Sequence, residues 1–190
     1  YTLAKKLVDV AVKSNANCIK FQTHITEKEM IKSNITPGNI SKKTLWSIIK
    51  NCELSEKEER KLQQYCKLKK ITFLSTPFSI EAVDRLKEIK MPAYKIGSGE
   101  LTNVPFLEHI AKTRKPVILS TGMSSMNEVE SSIDYLRNNG CKDIVLLHCV
   151  SCYPTQNSDL NLKCIQSMRT KFNIDVGFSD HTIDYNASLY

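Results

Sequence analysis

Met91-Pro-Ala-Tyr-Lys-Ile-Gly-Ser-Gly-Glu100 is the stretch on which the reading of this chain turns. Ala93 to Ile96 is predicted as a short strand that runs out into a Gly-Ser-Gly turn, with a helix opened by Pro105 beyond it. The glycines allow backbone N–H groups to come close to a bound anion. Lys95 adds a positive charge, Ser98 a hydroxyl donor and Glu100 a carboxylate. Such a set can hold a phosphate or carboxylate and move a proton beside it. The same residues also suit a plain βα loop whose glycines serve only the turn, and the other strand ends must decide.

Working outward, apolar runs and periodicity alternate along the chain. Helix is predicted over residues 2 to 14, strand over Cys18 to Gln22, and a long irregular connection over 25 to 54 with some helix around Lys43 to Lys50. Ser55 and Glu58 form a capping box for a helix reaching about Lys69. Strand Ile71 to Ser75 is expected to break at Thr76-Pro77, and helix follows from Ser79 to Lys90. After the strand at 93 to 96 come helix from about Val104 to Thr113, strand Pro116 to Ser120, helix from Met126 to Asn139 with Gly140 at its end, and strand Asp143 to His148. Helix Asn161 to Phe172, strand Ile174 to Phe178 and the loop Ser179 to Thr182 close the series. Asp184 to Tyr190 reads as the start of another helix.

Six strands alternating with helices predict an α/β fold with a parallel sheet. An open doubly wound sheet and a closed (β/α)8 TIM barrel both fit, and the regular strand spacing favours the barrel. A barrel needs eight strands, so the first and last would lie outside residues 1–190, and the chain reads as an internal piece of a longer protein.

Composition narrows the function. The chain of 190 residues carries a net charge of +7, spread over helix faces such as Lys57 to Lys70 without the dense basic block of a nucleic-acid binder. A mild bias toward anionic substrates is all it supports. No apolar run approaches the roughly 20 residues of a membrane span, and the first residues read as an amphipathic helix rather than a signal peptide. Seven cysteines, an odd number scattered over helices and strands, suggest a reducing, cytoplasmic setting.

Ligands of parallel α/β folds sit at the C-terminal ends of the strands. Those ends carry Lys20 and Gln22, Ser75-Thr76, Lys95 with Ser98 and Glu100, Ser120-Thr121, His148 to Tyr153, and Ser179 to His181. A buried ammonium is costly unless paired, so Lys20 and Lys95, each flanked by apolar neighbours, are expected to meet a bound anion. Strand alternation puts Lys20 and Gln22 on one face, opposite Ile19 and Phe21, and sets Lys95 opposite Tyr94 and Ile96. Cys149-x-x-Cys152 has zinc or redox spacing but no second pair, and a functional role is not expected of it. His24 lies in a loop and carries no signal of its own.

Lys20-Phe-Gln-Thr-His, Ser75-Thr-Pro-Phe, Tyr94-Lys-Ile-Gly-Ser-Gly-Glu, Lys115-Pro-Val-Ile-Leu-Ser-Thr-Gly-Met, Leu147-His-Cys-x-x-x-Tyr-Pro-Thr and Gly177-x-Ser-Asp-His-Thr occur in that order. Together they resemble the N-acetylneuraminate (sialic acid) synthase family in its bacterial form, over essentially the whole chain. The resemblance implies a (β/α)8 catalytic barrel followed by a C-terminal antifreeze-like domain, in a domain-swapped homodimer. It implies condensation of phosphoenolpyruvate with N-acetylmannosamine, releasing phosphate. Lys20, Thr76, Lys95, Ser98, Ser120 and Ser179 would hold phosphoenolpyruvate, with Lys95 also at the catalytic centre. Ser151 would stand where some members use asparagine toward the phosphate. Glu100 would orient or deprotonate the attacking water, and Gln22 and Tyr153 would face the sugar. His181 would be one of two histidine ligands to a divalent cation, Mn2+ or Mg2+.

Alternatives of substrate are legionaminic or pseudaminic acid synthesis from a related amino sugar. An alternative of class is a non-catalytic barrel that binds anionic sugars, against which Lys20, Lys95, Glu100 and His181 speak. With the second metal histidine outside it, the piece alone is expected to lack activity.

Overall fold

The computed structural model of the chain describes residues 1–38, 41–183 and 186–189. It divides into two compact units, Tyr1–Met91 and Pro92–Tyr190.

In the first unit, helix α1 (Thr2–Lys13) leads into strand β1 (Cys18–Thr23). The connection that follows carries two helices, α2 (Thr26–Glu29) and α3 (Leu45–Cys52), so it is less irregular than its composition suggests. Its ends are tied together. The backbone N–H and hydroxyl of Thr26 both donate to Glu53 Oε1, and Lys50 bridges Glu53 at 2.9 Å and Glu27 at 2.7 Å. Helix α4 (Glu56–Leu68) starts at the expected capping box, with the Glu58 N–H on Ser55 Oγ at 3.3 Å and the Ser55 N–H on Glu58 Oε2 at 2.9 Å.

Strand β2 (Thr72–Pro77) pairs in parallel with β1, Lys20 opposite Leu74 and Gln22 opposite Thr76. The expected break at Thr76-Pro77 is therefore corrected: the pairing runs on to Thr23 opposite Pro77. Proline has no N–H to donate, and the last position of a strand tolerates that loss. Helix α5 (Ile80–Glu88) follows, capped by Ser79 Oγ, which accepts from the Ala82 N–H at 3.1 Å.

The second unit is a parallel sheet in the order β3 (Tyr94–Ile96), β4 (Val117–Ser120), β5 (Ile144–His148), β6 (Val176–Phe178). Helices α6 (Val104–Ala111), α7 (Met126–Asn138) and α8 (Lys163–Phe172) connect the strands. The final helix begins two residues later than the sequence suggests. Tyr94, Ile96, Leu119 and Leu146 are fully buried on the strands, while Leu107 and Ile110 on α6 and Val129, Ile133 and Leu136 on α7 supply the covering apolar stripes. Truncating one such leucine to alanine costs about 2–5 kcal/mol. Gly140, just past α7, has φ +105°, a conformation side chains avoid. The helix expected from Asp184 lies partly outside the described residues, and Asn186–Leu189 forms a 3-10 turn. Among the described residues no helix is long and apolar enough to cross a membrane.

Candidate active site

Parallel register lines up the outgoing ends of β3 to β6 along one edge of the second unit. There the Ser98 hydroxyl oxygen accepts from the Gly122 N–H at 3.1 Å and lies 3.2 Å from Cys149 Sγ. A Cβ on Gly122 would collide with Ser151 Oγ and meet Ser98 Oγ at 2.9 Å and Cys149 Sγ at 3.0 Å. Glycine is needed here for close approach. Ser120, 1% exposed, ends β4 with its hydroxyl lacking a hydrogen-bond partner among the described residues. An unmet buried hydroxyl costs about 1–3 kcal/mol, and a ligand oxygen would relieve it. The local sequence around Gly122 and Cys149 does not single them out as neighbours. The one available signal was a glycine directly behind two hydroxyl residues at a strand end.

Lys95 is half-buried between the fully buried Tyr94 and Ile96, as strand alternation requires. Glu100 sits in a 3-10 turn, Ser98–Glu100. Its Oε2 accepts from Asn103 Nδ2 at 2.6 Å, while Asn103 Oδ1 caps α6 by accepting from the Phe106 N–H at 3.3 Å. One carboxylate oxygen is thus tied to the helix start, which fixes where the other points.

His181 approaches the Val150 carbonyl through Nδ1 at 2.7 Å. A carbonyl only accepts, so Nδ1 carries the proton and Nε2 presents a lone pair, 3.4 Å from Ser179 Oγ. Tyr153, 69% exposed, lies against the imidazole with ring centroids 4.2 Å apart, and desolvation pushes its phenol pKa up. The Ser179 N–H donates to the His148 carbonyl at 2.8 Å, which holds the loop to the sheet edge. A carbonyl-bound Nδ1 and an Nε2 lone pair held only by the long contact to Ser179 Oγ suit a metal-ligating histidine. Among the described residues no group of three or more His, Cys, Asp or Glu side chains gathers as a metal site. His181 fits as one ligand, and the rest of a set would come from elsewhere. Cys149 is buried and Cys152 exposed, and all seven cysteines are free.

On the first unit, Lys20 and Gln22 share the exposed face of β1. Lys20 is reachable by solvent, yet protein around its ammonium lowers its pKa by desolvation. The surroundings therefore favour an anion beside it. Thr76, 2% exposed on β2, has no partner for its hydroxyl among the described residues. Beneath lies a polar cluster. Thr23 donates to Glu59 at 2.6 Å and meets Ser75 at 2.8 Å, and Arg85 reaches Glu59 at 3.5 Å. Desolvation outweighs these contacts and raises the Glu59 pKa. His24, which carried no signal in the sequence, is buried, with Glu29 Oε1 2.8 Å from Nδ1 and Phe78 stacked at 4.6 Å.

An α/β protein whose parallel strands end in cationic, hydroxyl, carboxylate and imidazole groups has the layout of a small-molecule site at strand C-termini. The chain belongs to the NeuB family, whose model matches residues 7–190. It is 46% identical over 181 residues to an uncharacterized protein of Methanocaldococcus jannaschii, covering 95% of this chain and 51% of that one. It is 40% identical over 195 residues to the N,N'-diacetyllegionaminic acid synthase of Campylobacter jejuni, covering 98% of this chain and 58% of that one. A solved N-acetylneuraminic acid synthetase from Leptospira borgpetersenii, in complex with citrate, superposes with a TM-score of 0.83 at 33% identity, over 95% of this chain and 60% of that one. The chain thus spans about half the length of these curated relatives.

Proposed function

We propose that the complete protein condenses phosphoenolpyruvate with an open-chain amino sugar, yielding a nonulosonic acid and phosphate. In this reading residues 1–190 are part of a (β/α)8 catalytic barrel, completed by strands outside them and followed by an antifreeze-like domain, in a cytoplasmic homodimer. One observation carries the reading. The Ser98 and Ser151 hydroxyls close in on Gly122, and the buried hydroxyl of Ser120, two residues earlier in the chain, lacks a partner among the described residues. That is a set of short donors suited to phosphate or carboxylate oxygens.

Lys95, Ser98, Ser120, Ser151 and Ser179 hold the phosphoenolpyruvate, joined by Lys20 and Thr76. The C3 carbon of phosphoenolpyruvate attacks the aldehyde carbon of the sugar. A C–C bond forms, and the aldehyde oxygen takes up a proton to become a hydroxyl. Cationic charge develops at C2, water adds there, and Glu100 takes the proton the water loses. The tetrahedral centre then collapses to a ketone as its C–O bond to phosphate breaks, the C2 hydroxyl proton leaving with the phosphate. Gln22 and Tyr153 face the sugar. His181 would hold a divalent cation, Mn2+ or Mg2+, and the chemistry such a cation supplies is polarisation of the sugar carbonyl.

N-acetylmannosamine is the sugar of the resemblance. The 40% identity to a diacetyllegionaminic acid synthase favours, as a second reading, its diacetamido counterpart. Phosphate release by the complete protein, assayed with phosphoenolpyruvate and a panel of hexosamines, separates them. Release with N-acetylmannosamine supports sialic acid synthesis, and release only with a diamino sugar supports the legionaminic or pseudaminic reading. No release with any hexosamine contradicts synthase activity and leaves a binding barrel.

A further inference from the structure

The proposed chemistry uses Gln22 but not the histidine two residues beyond it. His24 is 7% exposed and is clamped on three sides. Its Nδ1 lies 2.8 Å from Glu29 Oε1, its Nε2 lies 3.3 Å from Gln22 Oε1, and its face stacks on Phe78 with centroids 4.6 Å apart and planes 14° apart. A carboxylate oxygen and an amide oxygen both only accept, so the ring makes both contacts with a proton on each nitrogen, Nδ1 donating to Glu29 and Nε2 donating to Gln22. Glu29 has a buried side chain, 5% exposed, and its second oxygen has no hydrogen-bond partner among the described residues. The ring is therefore the hydrogen-bonding anchor of this carboxylate, and the short helix α2 that carries Glu29 is pinned through Thr26 to Glu53.

Gln22 is different. It is exposed, on the same face of β1 as Lys20. An exposed amide turns easily, and its two ends have opposite hydrogen-bonding character. Whichever end is held at Nε2 fixes what the other end offers a ligand. Here the oxygen lies at Nε2, so the NH2 group is the end turned outward.

We infer that His24 is a positioning residue. Braced by Glu29 and Phe78, it locks the Gln22 amide so that its NH2 donates to an acceptor oxygen of the amino sugar. This rests on the reading of Gln22 as facing the sugar.

The test is steady-state kinetics of the complete protein with phosphoenolpyruvate and whichever of N-acetylmannosamine or its diacetamido counterpart supports turnover. His24→Asn keeps a donor at the place of Nδ1 for Glu29 and removes only the contact to Gln22. Gln22→Ala is expected to raise the sugar KM about tenfold, the worth of one hydrogen bond. His24→Asn is expected to raise it nearly as much, with the phosphoenolpyruvate KM changed by less than about twofold. The double variant should be no worse than Gln22→Ala alone, because both remove one interaction. His24→Gln, which restores a polar end near Nε2, should recover part of the loss. A His24→Asn protein with an unchanged sugar KM, effects that multiply in the double variant, or an equal rise in both KM values overturns the inference. If Gln22→Ala itself leaves the sugar KM unchanged while turnover persists, the Gln22 contact and this inference fall together and the synthase reading stands.

Discussion

His181 donates its Nδ1–H to the backbone carbonyl of Val150 at 2.7 Å, and this one bond settles which nitrogen of the ring is left for a ligand. With Nδ1 occupied, Nε2 faces outward beside Ser179 and Tyr153. His181→Asn keeps a donor for Val150 but removes Nε2. Manganese affinity of the complete protein, measured by titration calorimetry, should fall by at least about tenfold, with a corresponding loss of turnover. Unchanged affinity would remove His181 from the ligand set.

Gly122→Ala tests the donor cradle. The added methyl would press on Ser98, Cys149 and Ser151, and even the two longer approaches are 2.9 and 3.0 Å. Moving these groups apart should raise the phosphoenolpyruvate KM by about tenfold to a hundredfold, since displacement on the scale of an ångström carries such penalties. The sugar KM should change far less. Equal damage to both would mean that the glycine serves only the fold.

Lys20 sets an alkaline limit. Desolvation lowers its pKa below the ordinary 10.5. In the free protein the partly desolvated cation is a cost, present below the lowered pKa and relieved as pH rises through it. A bound anion reverses that balance. The phosphoenolpyruvate KM should therefore begin to rise at a pH below 10.5, as Lys20 loses its charge. Lys20→Arg, charged throughout this range, should show a flatter profile over that interval. Identical profiles would separate Lys20 from the anion.

Glu59 gives a stability test away from the chemistry. Its pKa is raised above 4.5 by desolvation. Below 4.5 both folded and unfolded chains hold the proton. As pH rises, the unfolded chain ionises first and gains stability relative to the fold. The contribution of Glu59 thus falls through the window above 4.5 and levels off once the folded group ionises. Glu59→Gln has no such loss. The urea midpoint of the variant, relative to the unsubstituted protein, should improve between pH 4 and pH 7.5. A pH-independent difference would show that Glu59 is not desolvated.

The sheet was legible because strands buried on both faces read as unbroken apolar runs. Phe73, Ile96, Leu119 and Leu146 mark them plainly. Capping chemistry placed α4, since Ser55 and Glu58 act over three residues. What local sequence did not reveal depends on distant partners. Strand β2 continues through Pro77 because Thr23 lies opposite, which no window around Thr76 discloses. His24 does lie in a loop, but its burial was not legible because Glu29 reaches it from the end of α2 and Phe78 from just past β2. The tight packing at Gly122 is hidden from local sequence because its three crowding neighbours come from two other loops. The strand-end residues Lys95, Ser98, Ser120 and His181 could be read directly, since alternation and strand ends locate them without tertiary knowledge.

The most direct measurement follows phosphoenolpyruvate carrying heavy oxygen at the bridge between C2 and phosphorus. Incubated with the complete protein, a divalent cation and the active amino sugar, it should give phosphate that bears the heavy atom, in amounts equal to the nonulosonic acid formed. Label-free phosphate, or phosphate released equally well without the sugar, would contradict condensation through C–O cleavage.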